Sequence, residues 1–240
     1  MDFFTQLRRV SSVFLTLNHY IKKAEKDLDG NKDLPKEKRN QYMQDYCQFA
    51  LNTLGVKSQS SDLPKIHEPS IFVGNHISYL DIPLLIKHYP VIFVAKKEII
   101  HWPYIGKAGK LTKIILVQRN KANSRRKAAK QIAEKLREQN DCVAIFPSGT
   151  TSMNKETFWK KGAFRIAKEF DIPVVPFRIN YSPIRKAAFV GQDYFLPHIF
   201  NLAKEATISA EISFQSSRKI LDIDKDMIDI RSWCNDALKQ

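Results

Sequence analysis

The first 22 residues have the apolar spacing of an amphipathic helix. At about 100° per residue, one face of this helix carries six apolar side chains, those of Phe3, Leu7, Val10, Phe14, Leu17 and Ile21. Basic residues flank that face, among them Arg8, Arg9, Lys22 and Lys23. An apolar body with a basic flank is typical of a helix at a membrane interface. A helix that docks on its own domain has the same spacing, and the pattern leaves both interpretations open.

A polar break separates this helix from a second one. Residues 29–35 combine Asp, Gly, Asn and Pro, which predicts a turn. The helical pattern returns from about Lys36 to Leu54, where Gly55 ends it. We therefore expect residues 1–55 to form an N-terminal amphipathic helical hairpin that associates with a membrane.

From Val56 onward, short apolar runs alternate with helical stretches. The runs predict strands at residues 70–74, 91–95, 113–117, 142–146, 174–179 and 207–214. The clearest helices span about 123–139 and 227–238. This alternation is typical of an α/β fold. Residues 56–240 are therefore predicted to form one α/β domain, with a central, mostly parallel sheet flanked by helices.

Length and residue usage are consistent with this organisation. A chain of 240 residues that is 43% hydrophobic can close one substantial core. The three cysteines, Cys47, Cys142 and Cys234, form no C-x-x-C pair, which favours a reducing, cytosol-facing environment over a disulfide framework or a zinc cluster. The sequence has no run of 18 apolar residues and no signal-peptide pattern, so we expect neither a transmembrane span nor secretion.

The positive charge is concentrated in one part of the chain. The net charge is +14, and residues 87–141 contribute +10 of it, from 14 basic and 4 acidic residues. Such a block predicts an anionic partner: nucleic acid, a phospholipid surface or a phosphorylated small substrate. Nucleic acid is the weaker alternative, because the block has no recognised binding motif and no evident aromatic stacking platform.

The first candidate site follows a predicted buried strand. Residues 73–83, Val-Gly-Asn-His-Ile-Ser-Tyr-Leu-Asp-Ile-Pro, run from that strand through a polar turn into a helix, where α/β proteins often keep their sites. His76 and Asp81 can meet only if the histidine lies in the turn before the helix begins. We predict Ser78 as the N-cap, with Asp81 at the third helical position. The alternative is that Asp81 only helps to cap the helix.

The second candidate site is residues 145–152, Ile-Phe-Pro-Ser-Gly-Thr-Thr-Ser. Backbone N–H groups in this loop could hold an anion, although an ordinary β-turn accounts for the pattern nearly as well when the loop is taken alone. The loop is not a G-x-S-x-G elbow, so Ser148 is not a predicted nucleophile. Between the two sites, Lys96, Lys97 and Arg119 place basic groups near further strand ends, and solvated surface charge is the alternative for the lysines.

These stretches, in this order, resemble the motifs of the glycerolipid acyltransferase family, which includes the lysophosphatidate (1-acylglycerol-3-phosphate) acyltransferases. Asn75-His76-x-Ser78-x-x-Asp81 is similar to the family's His-x-x-x-x-Asp motif. Residues 146–152 resemble its Phe-Pro-Glu-Gly-Thr-x-Ser motif, and residues 172–176 resemble its fourth motif. The resemblance covers roughly residues 70–180.

A further motif of that family binds the substrate phosphate. Residues 96–98, Lys-Lys-Glu, followed by Pro103, Gly106 and Arg119, are similar to it. Arg119 is the leading phosphate ligand, because the planar guanidinium can bind two phosphate oxygens at once.

The resemblance implies an O-acyltransferase of phospholipid biosynthesis. Such an enzyme moves a fatty acyl group from an acyl thioester, either acyl-CoA or acyl carrier protein, to the free hydroxyl of a lysophospholipid, with lysophosphatidate as the leading acceptor. His76 would be the general base and Asp81 would orient it. Substrate contacts are implied at Asn75, Ser78, Lys96, Lys97, Arg119, Ser148, Gly149, Thr150 and Thr151. We expect no metal and no cofactor beyond the acyl donor, since the six histidines lack metal-ligand spacing.

The chain departs from the usual third motif at two positions. Ser148 stands where the family usually has Glu, and Thr151 stands where many members have Arg. The change at residue 148 bears on the acceptor, so another lysophospholipid or lyso-lipid is the alternative substrate. The implied partners are the lysophospholipid, the acyl donor and an anionic phospholipid surface, with the protein peripheral or monotopic on the cytoplasmic face of the membrane.

Overall fold

The computed structural model describes residues 2–101, 104–118 and 120–236, and it begins with two helices. Helix α1 spans Phe3–Leu28 and helix α2 spans Lys36–Thr53. Asp2 caps α1 by accepting a hydrogen bond from the backbone N–H of Thr5 at 2.8 Å. Two helices separated by a polar turn are therefore present, and α1 ends at Leu28, directly before the predicted break at residues 29–35.

A seven-stranded sheet forms the centre of the described chain. Its strands are β1 Val56–Ser61, β2 Ile71–Gly74, β3 Ile92–Lys96, β4 Ile115–Val117, β5 Val143–Ile145, β6 Val174–Ser182 and β7 Ile208–Phe214. The strand order is β1-β7-β6-β2-β5-β3-β4. Among these strands β6 and β7 pair antiparallel and the other neighbouring pairs are parallel. The predicted α/β class with a mostly parallel sheet is confirmed.

The six predicted strands are all present, and β1 is the strand that the prediction missed. Only Val56 is buried in β1, and the rest of the strand is Lys-Ser-Gln-Ser-Ser. A strand with one buried residue has no apolar run or alternation from which to recognise it. Parallel pairing with β7, from Val56–Ile208 to Ser61–Ser213, holds it in the sheet instead.

Helices and one 3₁₀ segment connect the strands, and a last helix follows β7. They are α3 Asp81–His88, the 3₁₀ segment Lys97–His101, α4 Ile105–Leu111, α5 Ala122–Arg137, α6 Gly162–Glu169, α7 Ile184–Ala187, α8 Phe195–Leu202 and α9 Ile223–Asn235. The predicted helices at 123–139 and 227–238 correspond to α5 and α9, although residues 237–240 lie outside the described part of the chain. No helix in the described part combines the length and the hydropathy needed to cross a bilayer.

The sheet is buried on both faces, and the N-terminal helices pack into one of its two cores. Ile71 and Val73 of β2 point into one core, whereas Phe72 points into the other. The core around Phe72 also contains Val10 of α1 and Leu51 of α2. The N-terminal helices therefore contribute to the same hydrophobic core as the sheet.

The apolar face predicted for α1 is divided between core and solvent. Val10, Leu17 and Ile21 are buried, whereas Phe3 is 62% exposed and Leu7 is 42% exposed. On the following helix, Arg39 forms a buried ion pair with Asp141, with Nη2 and Oδ1 2.5 Å apart. This pair ties α2 to the residues just before β5.

Candidate active site

The candidate site lies at the carboxyl edge of the parallel strands. Strands β2 and β5 are neighbours, with Val73 opposite Ile145. His76 lies two residues after the end of β2, and Phe146 directly follows β5. Parallel strands that are neighbours end at the same edge of a sheet, and ligands of open α/β sheets bind there. The fold thus brings together the first and third motifs, which lie about 70 residues apart in the chain.

The central feature of this edge is the contact between His76 and Asp81. Nδ1 of His76 lies 2.7 Å from Oδ2 of Asp81. The histidine is in the turn before α3, as the spacing required, and Asp81 is the first residue of that helix. If Nδ1 carries the proton and donates to the carboxylate, Nε2 keeps its lone pair and can accept a proton. Within the described part of the chain, Nε2 has no hydrogen-bond partner.

The predicted start of the helix was wrong, because α3 begins at Asp81 and not directly after Ser78. Oδ2 of Asp81 accepts hydrogen bonds from the backbone N–H groups of Ile77 at 2.7 Å and Ser78 at 3.0 Å. Those bonds hold residues 77 and 78 in a turn that precedes the helix. The hydroxyl of Ser78 only accepts a long bond, of 3.3 Å, from the N–H of Leu80.

The carboxylate of Asp81 is fully buried, with 0% exposure, and four donors surround it. Besides Nδ1 of His76 and the two backbone N–H groups, the hydroxyl of Tyr181 donates to Oδ1 at 2.7 Å. Burial, together with the nearby Asp81 carboxylate, raises the pKa of Tyr181 well above its usual value. A buried carboxylate is stable only when it is hydrogen-bonded in this way. The arrangement keeps an anion beside the imidazole.

The ring of His76 is held by stacking as well as by this hydrogen bond. It lies on the ring of Phe146, with centroids 3.9 Å apart and planes inclined by 7°. Phe146 in turn packs against Phe93 and Phe177. The side chain of His76 is still 18% exposed, so one part of the imidazole remains accessible to a substrate.

The loop after β5 is a tight turn connected to His76. The N–H of Gly149 donates to the carbonyl of Phe146 at 3.0 Å, and Gly149 has a φ of +71°, which favours glycine. Ser148 donates from its hydroxyl to the carbonyl of Thr150 at 2.7 Å. The N–H of Ser152 donates to the carbonyl of His76 at 2.7 Å, so the two motif loops are directly joined.

Asn75 and Ser78, two of the predicted substrate contacts, are buried. Nδ2 of Asn75 donates to the carbonyl of Ile179, and Oδ1 accepts from the N–H of the same residue, both at 2.8 Å. The amide therefore ties the turn to β6. In the third motif Thr150 is exposed and Thr151 is half-buried. Direct contact of these residues with a substrate stays a prediction.

A small, open pocket lies beside His76, with about 10 Å³ of space accessible to water. It is lined by Asn75, His76, Ser148, Ser152, Asn154, Thr157, Trp159 and Asn235. Asn75, His76, Ser148 and Ser152 belong to the two predicted site segments, whereas the other four lining residues were not predicted. Neither the periodicity nor the motifs single out Asn154 or Asn235, and Asn235 reaches the pocket from α9 near the end of the chain.

The predicted phosphate-binding residues are only partly described. Lys96 ends β3 and Lys97 begins the 3₁₀ segment, and both are exposed at the same edge of the sheet. Arg119 and Pro103 lie outside the described residues. Gly106 packs so tightly on the carbonyl of Ile100 that an added Cβ would be 1.9 Å from that oxygen. The close packing of α4 on the 3₁₀ segment therefore requires glycine at position 106.

A family model named Acyltransferase matches residues 56–180, which is more than half of the chain. The chain therefore belongs to the acyltransferase family, and the resemblance drawn from its motifs is confirmed. All the motif residues discussed above lie within the matched segment. Among the described residues, no cluster of three or more His, Cys, Asp or Glu side chains could hold a metal ion.

Curated relatives carry two different names. The chain is 31% identical over 150 residues to a lyso-ornithine lipid O-acyltransferase of Pseudomonas aeruginosa, covering 60% of this chain and 57% of the relative. It is 32% identical over 183 residues to a 1-acyl-sn-glycerol-3-phosphate acyltransferase of Neisseria gonorrhoeae, covering 75% and 69%. The match to a lyso-ornithine lipid O-acyltransferase of Brucella abortus spans 63% of that relative. The chain thus spans less than two thirds of the length of these lyso-ornithine lipid enzymes.

A solved structure supports the fold. The 1-acyl-sn-glycerophosphate acyltransferase of Thermotoga maritima superposes with a TM-score of 0.61, covering 96% of both chains at 17% sequence identity. The N-terminal helices and the sheet are therefore parts of a fold already known in this family.

Proposed function

We propose that this chain is an O-acyltransferase that moves a fatty acyl group from an acyl thioester to the free hydroxyl of a lysophospholipid. The observation that carries the proposal is the contact of His76 with the buried carboxylate of Asp81, at 2.7 Å, beside a solvent-accessible pocket. A base held in one orientation next to a pocket is what the transfer of an acyl group to an alcohol requires.

In the proposed reaction His76 acts as the general base. Nε2 takes the proton of the acceptor hydroxyl while the hydroxyl oxygen attacks the thioester carbonyl carbon. The C–S bond then breaks as the tetrahedral intermediate collapses, and the departing thiolate takes the proton back from the imidazolium. Asp81 keeps the proton on Nδ1 and stabilises the imidazolium while it exists. The proposed steps use only this chain's side chains, the acyl donor and the acceptor.

The donors of an oxyanion hole must come from groups that are not already occupied. Backbone N–H groups beside His76 were obvious candidates, but those of Ile77 and Ser78 donate to Asp81. The N–H of Gly149 donates to Phe146. Side-chain hydroxyl and amide groups that line the pocket, such as those of Ser152 and Asn154, are the nearby polar groups that we propose for this role.

We propose lysophosphatidate as the acceptor, with acyl-CoA or acyl carrier protein as the donor. Lys96 and Lys97 are exposed cations at the carboxyl edge of the sheet, and Arg119 follows β4 in the sequence, so this edge suits a phosphate. Two relatives named lyso-ornithine lipid O-acyltransferase favour a second acceptor, a lyso-ornithine lipid, whose headgroup carries no phosphate. Ser148 in place of the usual Glu is the difference in the pocket that bears on this choice.

An acceptor and donor screen tests the proposal. The purified chain is supplied with acyl-CoA or acyl carrier protein thioester and with either lysolipid, and the products are followed by mass spectrometry. We expect acylation of lysophosphatidate at a higher kcat/KM than of lyso-ornithine lipid. The reverse preference would move the assignment to the second acceptor, and transfer to neither lysolipid from either donor would contradict the proposed function.

The same proposal includes association with the cytoplasmic face of an anionic membrane, because the acceptor is a lipid. Phe3 and Phe4 at the start of α1 are 62% and 81% exposed, and Arg8 lies on the same helix. Further exposed cations lie in α5 and directly before it, and this helix follows β4 in the chain. They are Arg126, Lys127 and Lys130 of the helix and Lys121, the residue directly before it. Each such cation near an anionic surface adds about 1 kcal/mol of attraction.

A further inference from the structure

We propose that Tyr181 is a positioning residue for the general base: its hydroxyl holds the Asp81 carboxylate in the orientation that directs His76. This inference rests on the function proposed above. Tyr181 touches no substrate in this account and acts through Asp81. It lies on β6, 100 residues after the aspartate, and no motif of the sequence points to it.

The contact is well placed for this role. The hydroxyl of Tyr181 donates to Oδ1 of Asp81 at 2.7 Å, and both side chains are buried. Two residues earlier on the same strand, Ile179 is joined to the amide of Asn75 by two hydrogen bonds. Strand β6 therefore holds the catalytic turn at two points, on either side of His76 in the sequence.

The two carboxylate oxygens have different partners. Oδ2 accepts from Nδ1 of His76 and from the N–H groups of Ile77 and Ser78. Oδ1 has Tyr181 as its hydrogen-bond partner within the described residues. Without that hydroxyl, Oδ1 would be a buried anionic oxygen lacking a donor, and the carboxylate would become more basic. A more basic carboxylate stabilises the imidazolium, so His76 would hold a proton up to a higher pH.

The titratable side chains near His76 and Asp81 do not obscure the expected change in the titration of His76. Burial raises the pKa of Tyr79 in the turn, of Tyr181 on β6 and of Cys234 on α9, so these three stay neutral in an assay near neutral pH. His198 of α8 contacts the hydroxyl of Tyr79 at 3.0 Å and is the other histidine nearby. Comparison with a His76→Ala spectrum identifies the imidazole signal that belongs to His76.

The test is Tyr181→Phe in the full chain, with Tyr89→Phe as the matched control. Tyr89 also donates its hydroxyl to a single acceptor, the carbonyl of Pro64 at 2.7 Å, but it lies outside the site. We expect the NMR titration midpoint of His76 to move to higher pH in Tyr181→Phe and not in the control. At pH 7 we expect kcat to fall about 10-fold, which corresponds to loss of one hydrogen bond to a charged group, with KM for the lysolipid unchanged within about twofold.

The outcomes separate positioning from a merely structural role. If the melting temperature falls while the titration midpoint and kcat per folded molecule stay at the wild-type values, the inference is overturned. If Tyr181→Phe does not fold, 3-fluorotyrosine at position 181 provides the second variant. Its more acidic phenol donates a stronger hydrogen bond, so the midpoint of His76 should move to lower pH, and an unmoved midpoint would overturn the inference. The titration needs no turnover, so it still tests the contact if the chain transfers no acyl group and the proposed function fails.

Discussion

The imidazole of His76 lies flat against the ring of Phe146, with the two centroids 3.9 Å apart and the planes inclined by 7°. The hydrogen bond to Asp81 fixes one edge of the imidazole, and the phenyl ring fixes one face. A phenyl ring also stabilises a cation placed over it, so this contact becomes stronger when the imidazole takes up a proton. The stacked pair therefore belongs to the proposed chemistry as well as to the core.

Replacing this aromatic ring should slow the reaction. In Phe146→Leu the volume is largely kept but the stacked face and the cation–π contact are lost, so we expect kcat to fall by about 3- to 10-fold. The control is Phe170→Leu, which changes a half-buried phenylalanine in the other core. Steady-state kinetics of both variants check the prediction. Equal kcat in Phe146→Leu and Phe170→Leu would show that the stacking has no catalytic effect.

Asp81→Asn should lower the rate of acyl transfer strongly, although the change in side-chain size is small. An amide keeps the shape but places an NH₂ or a neutral oxygen where the carboxylate now accepts from His76, Ile77 and Ser78. The imidazole loses its fixed tautomer and its anionic partner, and we expect kcat to fall by about 10²- to 10⁴-fold. A thermal melt measured beside the kinetics separates lost activity from lost folding. Wild-type kcat in a folded Asp81→Asn protein would rule out this role for the aspartate.

Stability should depend on pH through His88. Burial, and to a lesser extent the charge of Lys87, lowers the pKa of His88 in the folded chain, and Nε2 is buried without a hydrogen-bond partner among the described residues. The unfolded chain then binds the proton more readily, so the free energy of unfolding falls as pH drops through the unfolded pKa of about 6.5. Above that pH His88 is neutral in both the folded and the unfolded chain, so it no longer makes the free energy of unfolding depend on pH.

Urea unfolding at pH 7.5 and at pH 5.5 checks this sign. We expect the wild-type chain to lose more stability between the two pH values than His88→Leu, because the variant lacks the titrating group. Each chain is compared with itself at the two pH values, and the two losses of stability are then compared with each other. Contributions from other groups that titrate in this range therefore cancel to first order. An equal or larger loss in His88→Leu would contradict the prediction.

The exposed start of α1 offers a test of membrane contact that leaves the core intact. Deleting the helix would remove Val10 and Val13, which are buried in the same core as β2. Point changes at Phe3 and Phe4 avoid that problem because both side chains are exposed. We expect Phe3→Ser with Phe4→Ser to reduce co-sedimentation with vesicles containing an anionic phospholipid, by about 10-fold or more in partition coefficient.

Leu221→Ser is the matched control for this measurement, because Leu221 is 80% exposed and lies far along the chain, before α9. It should sediment with the vesicles as the wild-type chain does. If the double variant at Phe3 and Phe4 also sedimented like the wild-type chain, the start of α1 would not be the membrane contact.

Much of the fold could be predicted because its core strands are locally distinctive. Strand β2 and the first four residues of β6 are continuous apolar runs, as expected where a parallel sheet is buried on both faces. Strand β1 has a single buried residue, and its place at the sheet edge depends on pairing with β7. The short helices α6, α7 and α8 were also not predicted, because segments of four to eight residues are too short for a clear helical period.

The candidate site could be predicted only where its residues are close together in the sequence. The spacing of His76 and Asp81, after a buried strand, allowed their contact if the histidine lay in the turn, and the resemblance to the family's His-x-x-x-x-Asp motif implied it. The predicted start of α3 was wrong because the side chain of Asp81 accepts hydrogen bonds from the backbone N–H groups of Ile77 and Ser78. These bonds keep both residues in a turn that precedes the helix. Tyr181 and Asn235 reach the site from distant parts of the chain, and only the strand order and the packing of α9 bring them there.

The role of His76 as the general base is tested most directly by the rate of acyl transfer by His76→Ala. Purified wild-type and variant chains are given the same acyl thioester and lysophosphatidate, and the formation of phosphatidate is followed under saturating conditions. We expect a kcat at least about 10²-fold below that of the wild-type chain, measured on variant protein that a thermal melt shows to be folded. Wild-type turnover in folded His76→Ala would contradict the account, because the proton of the acceptor hydroxyl would then have to go elsewhere.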